Sequence, residues 1–317
     1  MRAYVFQCRD LPAADSDGSS DPYLRLAQSG NPLRTKTIQD NCNPLFYEAL
    51  DLIFEADNND ELPPFIIDAY DEDEASLGKN TSDYLSRAMI EFTDIGDAYS
   101  ESDAIPVPKW FPLRFKQAGP MSGEVLVSFS VVEDDFNFKY PLNYVPLEKM
   151  VDRKEFKVSM NVLGLRGLES PGILPVKKAF ISFNLKSLVP PSIGTNLLNI
   201  KTEPKNPGPD PTINTLMEFS VPLPVEKLYC PRLSCQVFDC IFTGFSQPLI
   251  GNFIIPIGQL LHDLIQERFV EMKALKKVVK ELKEIEEGRA RASIVINSTL
   301  AIEEIANLAI SDNAKDL

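Results

Sequence analysis

Seven short runs fill residues 1–135, none longer than ten residues, and turn chemistry separates them. They read RAYVFQC, PYLRLAQ, RTKTIQ, YEALDLIFEA, PFIIDAYD, SRAMIEF and EVLVSFSVV. Between them lie SDGSSDP, SGNP, NCNP, DNND, LPP and QAGPMSG. Several runs alternate apolar and polar residues, and most are rich in aliphatic or aromatic side chains. Recurrence at that spacing predicts an antiparallel β-sandwich.

The pattern stops and restarts. EDDFNFKYPLNYVPLEK is polar and proline-marked and reads as a linker over 136–152. Then EFKVSMNVLGLRGLE, KAFISFNLK, NTLMEFSVPL, RLSCQVFDC and LIGNFIIPIG predict a second sandwich over 153–257. It is interrupted by a long Pro/Asn-rich excursion between Asn184 and Asn214. Beyond it the period changes. Leu261, Ile265, Phe269, Met272, Leu275, Val279, Leu282 and Ile285 fall three or four apart, which marks an amphipathic helix ending near Gly288. Residues 258–317 therefore read as mainly helical, with Ser298 as cap of a second helix. The fold class is all-β: two antiparallel sandwiches in tandem, then the helical segment. Packing on its own sandwich is the expected fate of the first helix.

Charge divides along the same line. Residues 1–150 hold 27 Asp/Glu against 12 Lys/Arg, and residues 151–317 hold 19 against 20. The acidic excess lies wholly in the first half, which excludes nucleic acid as its unaided partner. No apolar stretch reaches the ~20 residues a spanning helix needs. MRAYVFQCRD places Arg9 and Asp10 where a secretory signal needs an apolar core. Cys8, Cys42, Cys230, Cys235 and Cys240 show no zinc spacing and read as reduced cytosolic thiols.

Two acidic loops carry the chemistry. DSDGSSDPYLRL sets Asp15 and Asp21 six residues apart at the mouth of a strand, and PFIIDAYDED ends another strand on Asp71 and Asp73. Residues i and i+2 of an extended chain project to one side. Asp83 opens the next strand. Asp, Ser and Gly are ordinary turn residues, so these loops are either plain turns or the two halves of a cation site. Five carboxylates at one end of a sandwich repel unless protonated or bound to a cation. Ca²⁺ suits them, since it takes six to eight oxygens at flexible geometry; Mg²⁺ prefers to keep its waters. The backbone carbonyl of Glu72 is a further donor in that arrangement, and Asp17 is expected to face solvent.

RAYVFQCRDLPAADSDGSSDPYLRL, the N-P-x-aromatic-x-E turn at Asn43–Glu48 and the Y-D-x-D strand end together resemble a C2 domain over 1–135. The resemblance implies Ca²⁺ as cofactor and Asp15, Asp21, Asp71, Asp73 and Asp83 as its ligands. The loop before Asp83 is longer than is usual in that family. LRGLESPGILPVKKAFISFNL, PGPDPTINTLMEFSVPLP and LYCPRLSCQVFDCIFTGFSQPLIG resemble a second C2 domain of the kind found in ferlins, the multi-C2 membrane-fusion proteins. There the ligand pattern fails. The first loop offers only Glu169, and Asp239 is followed by Cys240 and Ile241, so no Ca²⁺ is expected.

The functional expectation is a calcium-dependent phospholipid-binding module of a ferlin-like protein, acting in membrane trafficking or vesicle fusion. It would be cytoplasmic and peripheral to an anionic membrane, with any anchor outside this chain. Leu77 is a candidate for shallow insertion, and Lys177, Lys178 and Lys186 for contact with anionic lipid. The alternative is a calcium-independent scaffold binding fusion-machinery proteins or a partner helix. His262 is the one histidine, and no nucleophile triad or phosphate loop stands out, so no enzyme is expected. The first strand begins at Arg2. Either the chain is a piece of a longer ferlin, or residues near 136–150 supply the remaining strand.

Overall fold

The computed structural model describes residues 1–317 except 29–31, 55–62, 74–81, 96–103, 117–118, 133–136, 171–174, 194–198, 204–206, 242–245 and 289–317. Residues Met1–Gly258 form one compact unit and Gln259–Leu317 another.

The first sandwich contains β1 (Arg2–Arg9), β2 (Pro22–Ala27), β3 (Leu33–Arg34), β4 (Leu45–Asp51), β5 (Phe65–Glu72), β6 (Ser82–Ile90), β7 (Lys109–Arg114) and β8 (Met121–Ser130). They run in the order β3-β2-β5-β6-β7-β8-β1-β4. The pairing of β6 with β7 is a single one, Arg87 opposite Arg114. The order therefore folds into two four-stranded sheets hinged at that edge. Val5, Leu24, Leu26, Phe65, Ile67, Val125, Val127 and Phe129 fill the space between them, with Phe65 and Phe129 edge-to-face at 4.8 Å.

RAYVFQC does not alternate because β1 is covered on both faces. Ala3 and Val5 enter the inter-sheet core. Tyr4 and Phe6 face the other way, against Leu45, Leu147 and Val151. A strand buried on two sides reads as a continuous apolar run. The alternative that residues near 136–150 supply a further strand does not hold: residues 137–150 form no strand, and β1 pairs antiparallel with β8, the strand expected at EVLVSFSVV, from Arg2–Ser130 to Arg9–Glu124. Residues 137–152, read as a linker, are packed rather than free. Leu147 is fully buried and Val151 nearly so, and the Arg2 guanidinium donates to the Tyr140 carbonyl at 2.6 Å. Leu228 and Tyr229 of the second sandwich complete the same cluster.

One strand lies where none was expected, and one expected strand is cut short. KWFPLR forms β7 despite Pro112, because a proline costs little where few ladder bonds are made. RTKTIQ is a strand only at its first residue. Beyond it the Thr35 hydroxyl accepts the Leu24 N–H at 3.0 Å, so a side chain stands where a ladder carbonyl would. Asp68, nearly fully buried on β5, is held by a two-bond fork from Arg87 at 2.6 and 3.0 Å. Buried carboxylates persist when paired in this way.

The second sandwich repeats the plan. It contains β9 (Arg153–Gly164), β10 (Ala179–Asn184), β11 (Ile200–Lys201), β12 (Thr212–Pro224), β13 (Leu233–Asp239) and β14 (Leu249–Ile255). The order β11-β10-β13-β14 matches β3-β2-β5-β6, and β12-β9 matches β4-β1. Counterparts of β7 and β8 are absent among the described residues. Phe156, Val158 and Met160 of β9 are accordingly only half-buried.

The chain continues as α1 (Ile257–Gly288). Its Leu260, Leu264, Phe269, Val270, Leu275 and Val278 are exposed. The second helix expected at Ser298 lies outside the described residues.

Candidate metal centre

The loop after β1 is shaped by its own polar groups. Asp15 and Ala14 N–H groups donate to the Ser19 carbonyl at 3.0 and 3.1 Å, and Gly18 N–H donates to the Asp15 carbonyl at 3.1 Å. Gly18 sits at φ +81°, a conformation side chains disfavour. Asp17 Oδ1 accepts from both the N–H and the hydroxyl of Ser19, at 3.0 and 2.6 Å. Asp17 is thus a half-buried turn-former rather than the solvent-facing charge expected of it. The turn leaves Asp15 projecting toward the end of β5.

There it meets Asp71 and Asp73. One carboxylate oxygen from each of Asp15, Asp71 and Asp73 lies within 4.8 Å of the others. Asp71 is only 1% exposed. β2 and β5 run side by side with Pro22 opposite Asp71, and the Asp21 N–H donates to Asp71 Oδ1 at 2.5 Å. Among the described residues, no Lys or Arg forms an ion pair with these three carboxylates. The nearby Arg34 is committed to Glu72, at 3.0 and 3.1 Å.

The remaining two expected ligands stand beside the cluster rather than in it. Asp21 turns Oδ1 to the Asp40 N–H at 2.8 Å. Asp83 lies opposite Asp71 on β6 but is exposed. Leu77 lies outside the described residues.

Repulsion registers in the proton affinities. Partial burial, and then the charges of Asp71, Asp21, Asp17 and Asp73, push the Asp15 carboxyl up to about 6. Its side chain remains exposed, so solvent screens part of this. Burial also raises Asp71; the Asp21 N–H opposes that shift, while Asp73, Asp21 and Asp83 add to it. A carboxyl held above its ordinary value binds more protons folded than unfolded. Its penalty is therefore full above pH 6 and disappears as pH falls toward 4. In chelator, the protein is expected to gain more stability than an Asp15→Asn variant on passing from pH 7 to pH 5. Melting curves of both at the two pH values check this; equal gains would contradict it.

The oxygens fit a hard divalent cation. At Ca–O distances of roughly 2.3–2.6 Å, two ligands of one ion lie up to about 5 Å apart. The observed spread is within that limit, and the cluster has no internal countercharge.

The second sandwich shows the same register with different chemistry. Ala179 pairs with Asp239 as Pro22 pairs with Asp71. Lys178 therefore holds the place of Asp21. Asp239 is buried and accepts the N–H groups of Lys177 at 3.0 Å and of Lys178 at 2.7 Å. Glu169 is exposed. One structural carboxylate beside two lysines offers no cation cluster. Lys177 and Lys178 precede β10, whereas Lys186 follows it.

The loop carrying Asp15 also rests on the second sandwich. Gln236 Nε2 donates to the Asp17 carbonyl at 2.8 Å and Asn252 Nδ2 to the Gly18 carbonyl at 3.3 Å. Arg232 pairs with Asp10 at 2.5 Å. A Cβ on Gly18 would come within 2.6 Å of Leu249. These contacts span more than 200 residues of sequence, and nothing in the local sequence signals them.

The C2 domain family model matches residues 1–113. The C2 and GRAM domain-containing protein of Arabidopsis thaliana is 32% identical over 130 residues, covering 40% of this chain. Human myoferlin is 25% identical over 281 residues, covering 80% of this chain. The chain spans 12% of the length of each of these relatives. Among solved structures, the paired C2 domains of Extended-Synaptotagmin 2 align over 82% of this chain and 79% of that one, at 16% identity and TM-score 0.29. No helix among the described residues is long and apolar enough to cross a membrane. Residues 1–113, most of the first sandwich, are a C2 domain, and the chain is similar to human myoferlin over four-fifths of its length.

Proposed function

We propose that the chain is a calcium-dependent module for anionic phospholipid surfaces, working peripherally at cytoplasmic membranes in trafficking or vesicle fusion. The convergence of Asp15, Asp71 and Asp73, with no basic partner among the described residues, carries this reading. These three would hold the ion, with Asp21 and Asp83 close enough to add charge or a ligand after a side-chain turn. Ca²⁺ would supply the positive charge that the loop end lacks and a coordination site for lipid phosphate. Asp21 fixes Asp71 through its N–H, and Asp17 holds the turn that presents Asp15. No catalytic step is assigned to the module.

Co-sedimentation of the full chain with phosphatidylserine vesicles tests the reading. Pelleting in Ca²⁺ and not in chelator is expected. Equal pelleting in both, or none in either, would favour the scaffold built from two interlocked sandwiches.

A further inference from the structure

A cleft of about 630 Å³ opens beside the candidate metal centre, between the two sandwiches. Asp21, Asp40 and Asp73 line one wall, and Asn184, Lys186 and Asn199 the other. The Asn184 side chain ties its two walls together. Asn184, only 7% exposed, donates Nδ2 to the Asp40 carbonyl at 2.9 Å. Its own carbonyl accepts the Ser187 hydroxyl at 2.7 Å. The short turn Leu185–Leu188 buries Leu185, Ser187 and Leu188 and leaves only Lys186 outward. That ammonium lies near enough to Asp40 to act on its charge, yet has no ion pair among the described residues. A cation thus stands across the cleft from Asp73, one of the three carboxylates that would hold Ca²⁺.

We propose that this cleft seats a phosphate-bearing polar headgroup, with Lys186 as a second cationic anchor opposite the metal centre. The second sandwich, which has lost its own cation cluster, would then contribute to the site of the first. Phosphate is the chemistry that both anchors share: hard oxygens for Ca²⁺ and acceptors for an ammonium. The cleft holds a headgroup but not acyl chains, so the source is either a lipid at a membrane surface or a soluble phosphodiester. The inference rests on the calcium reading above.

The test uses the full chain, wild type and Lys186→Ala. Calorimetric titration with Ca²⁺ alone should show uptake by both proteins, since removing a nearby positive charge does not weaken cation binding. In saturating Ca²⁺, partitioning of the variant onto phosphatidylserine vesicles should fall about fivefold, the effect of one basic residue near an anionic surface. Soluble glycerophosphoserine is the second arm. Competition with vesicles for wild type identifies the phosphodiester itself as the ligand, and failure to compete identifies the membrane surface; the loss in Lys186→Ala supports the proposal in either case. If both proteins take up Ca²⁺ and partition equally, the inference is overturned while the calcium reading stands. If wild type takes up no Ca²⁺, the calcium reading falls and the inference with it.

Discussion

Asp73→Asn is expected to weaken Ca²⁺ binding at least about 100-fold, because it removes a ligand and a charge from the cluster in one step. The cation-free variant should nevertheless be more stable than wild type. Asp73 repels Asp15 and Asp71, and asparagine relieves that repulsion without changing shape. The two effects have opposite signs, which separates a ligand from a structural residue. A carboxylate kept for hydrogen bonding would lose stability on the same change. Asp73 is half-buried and follows β5 directly, so the substitution leaves the sheet untouched. Calorimetric titration and melting in chelator, run on the same preparation, read both quantities. A variant that is less stable in chelator would remove Asp73 from the cation site.

The second large effect is expected at Gly18. Valine there must adopt φ +81° and meet Leu249. The backbone strain alone costs about 1–3 kcal/mol. Leu249 can move, so the closer consequence is a shifted loop. The bonds from Gln236 and Asn252 would lengthen, and Asp15 would leave the other two carboxylates. Ca²⁺ affinity should fall about tenfold while the sandwiches stay folded, a size typical of coupling between sites. Gln236→Ala should act in the same direction by a smaller factor, through the lost bond to the Asp17 carbonyl. Coupling is reciprocal. Ca²⁺ should therefore tighten the contact between the sandwiches, readable as slowed amide exchange at Gly18 and Asn252. Unchanged Ca²⁺ affinity in both variants would reduce that contact to a packing feature.

What the sequence discloses follows from how local each feature is. Strand ends rich in Asp are written in adjacent residues, so Asp71 and Asp73 are legible, and so is the turn that presents Asp15. The failed copy at Asp239, with Cys240 and Ile241 after it, is equally plain. Asp21 and Asp83 have the right residue type. Their orientation is decided by the Asp40 N–H and by exposure on β6, neither of which the local motif contains. β7 hides behind Pro112, and RTKTIQ looks like a strand because Thr35 is a good strand residue whose hydroxyl is used elsewhere. Leu147 and Val151 sit in a polar, proline-marked stretch, yet they cover Tyr4 and Phe6. The contacts of Gln236, Asn252 and Asn184 with the first sandwich join residues far apart in the chain. Only packing of one sandwich against the other creates them, and with them the cleft beside Lys186.

Calorimetric titration of the full chain with Ca²⁺, without lipid, tests the central claim most directly. The structure predicts saturable uptake at one or more sites by wild type, abolished by Asp73→Asn. The same uptake should raise the melting temperature, since a ligand at 100 times its dissociation constant adds about 2.7 kcal/mol to the native state. An absence of uptake up to about 1 mM, the weak end of protein calcium sites, would contradict the assignment of Asp15, Asp71 and Asp73 as a calcium centre.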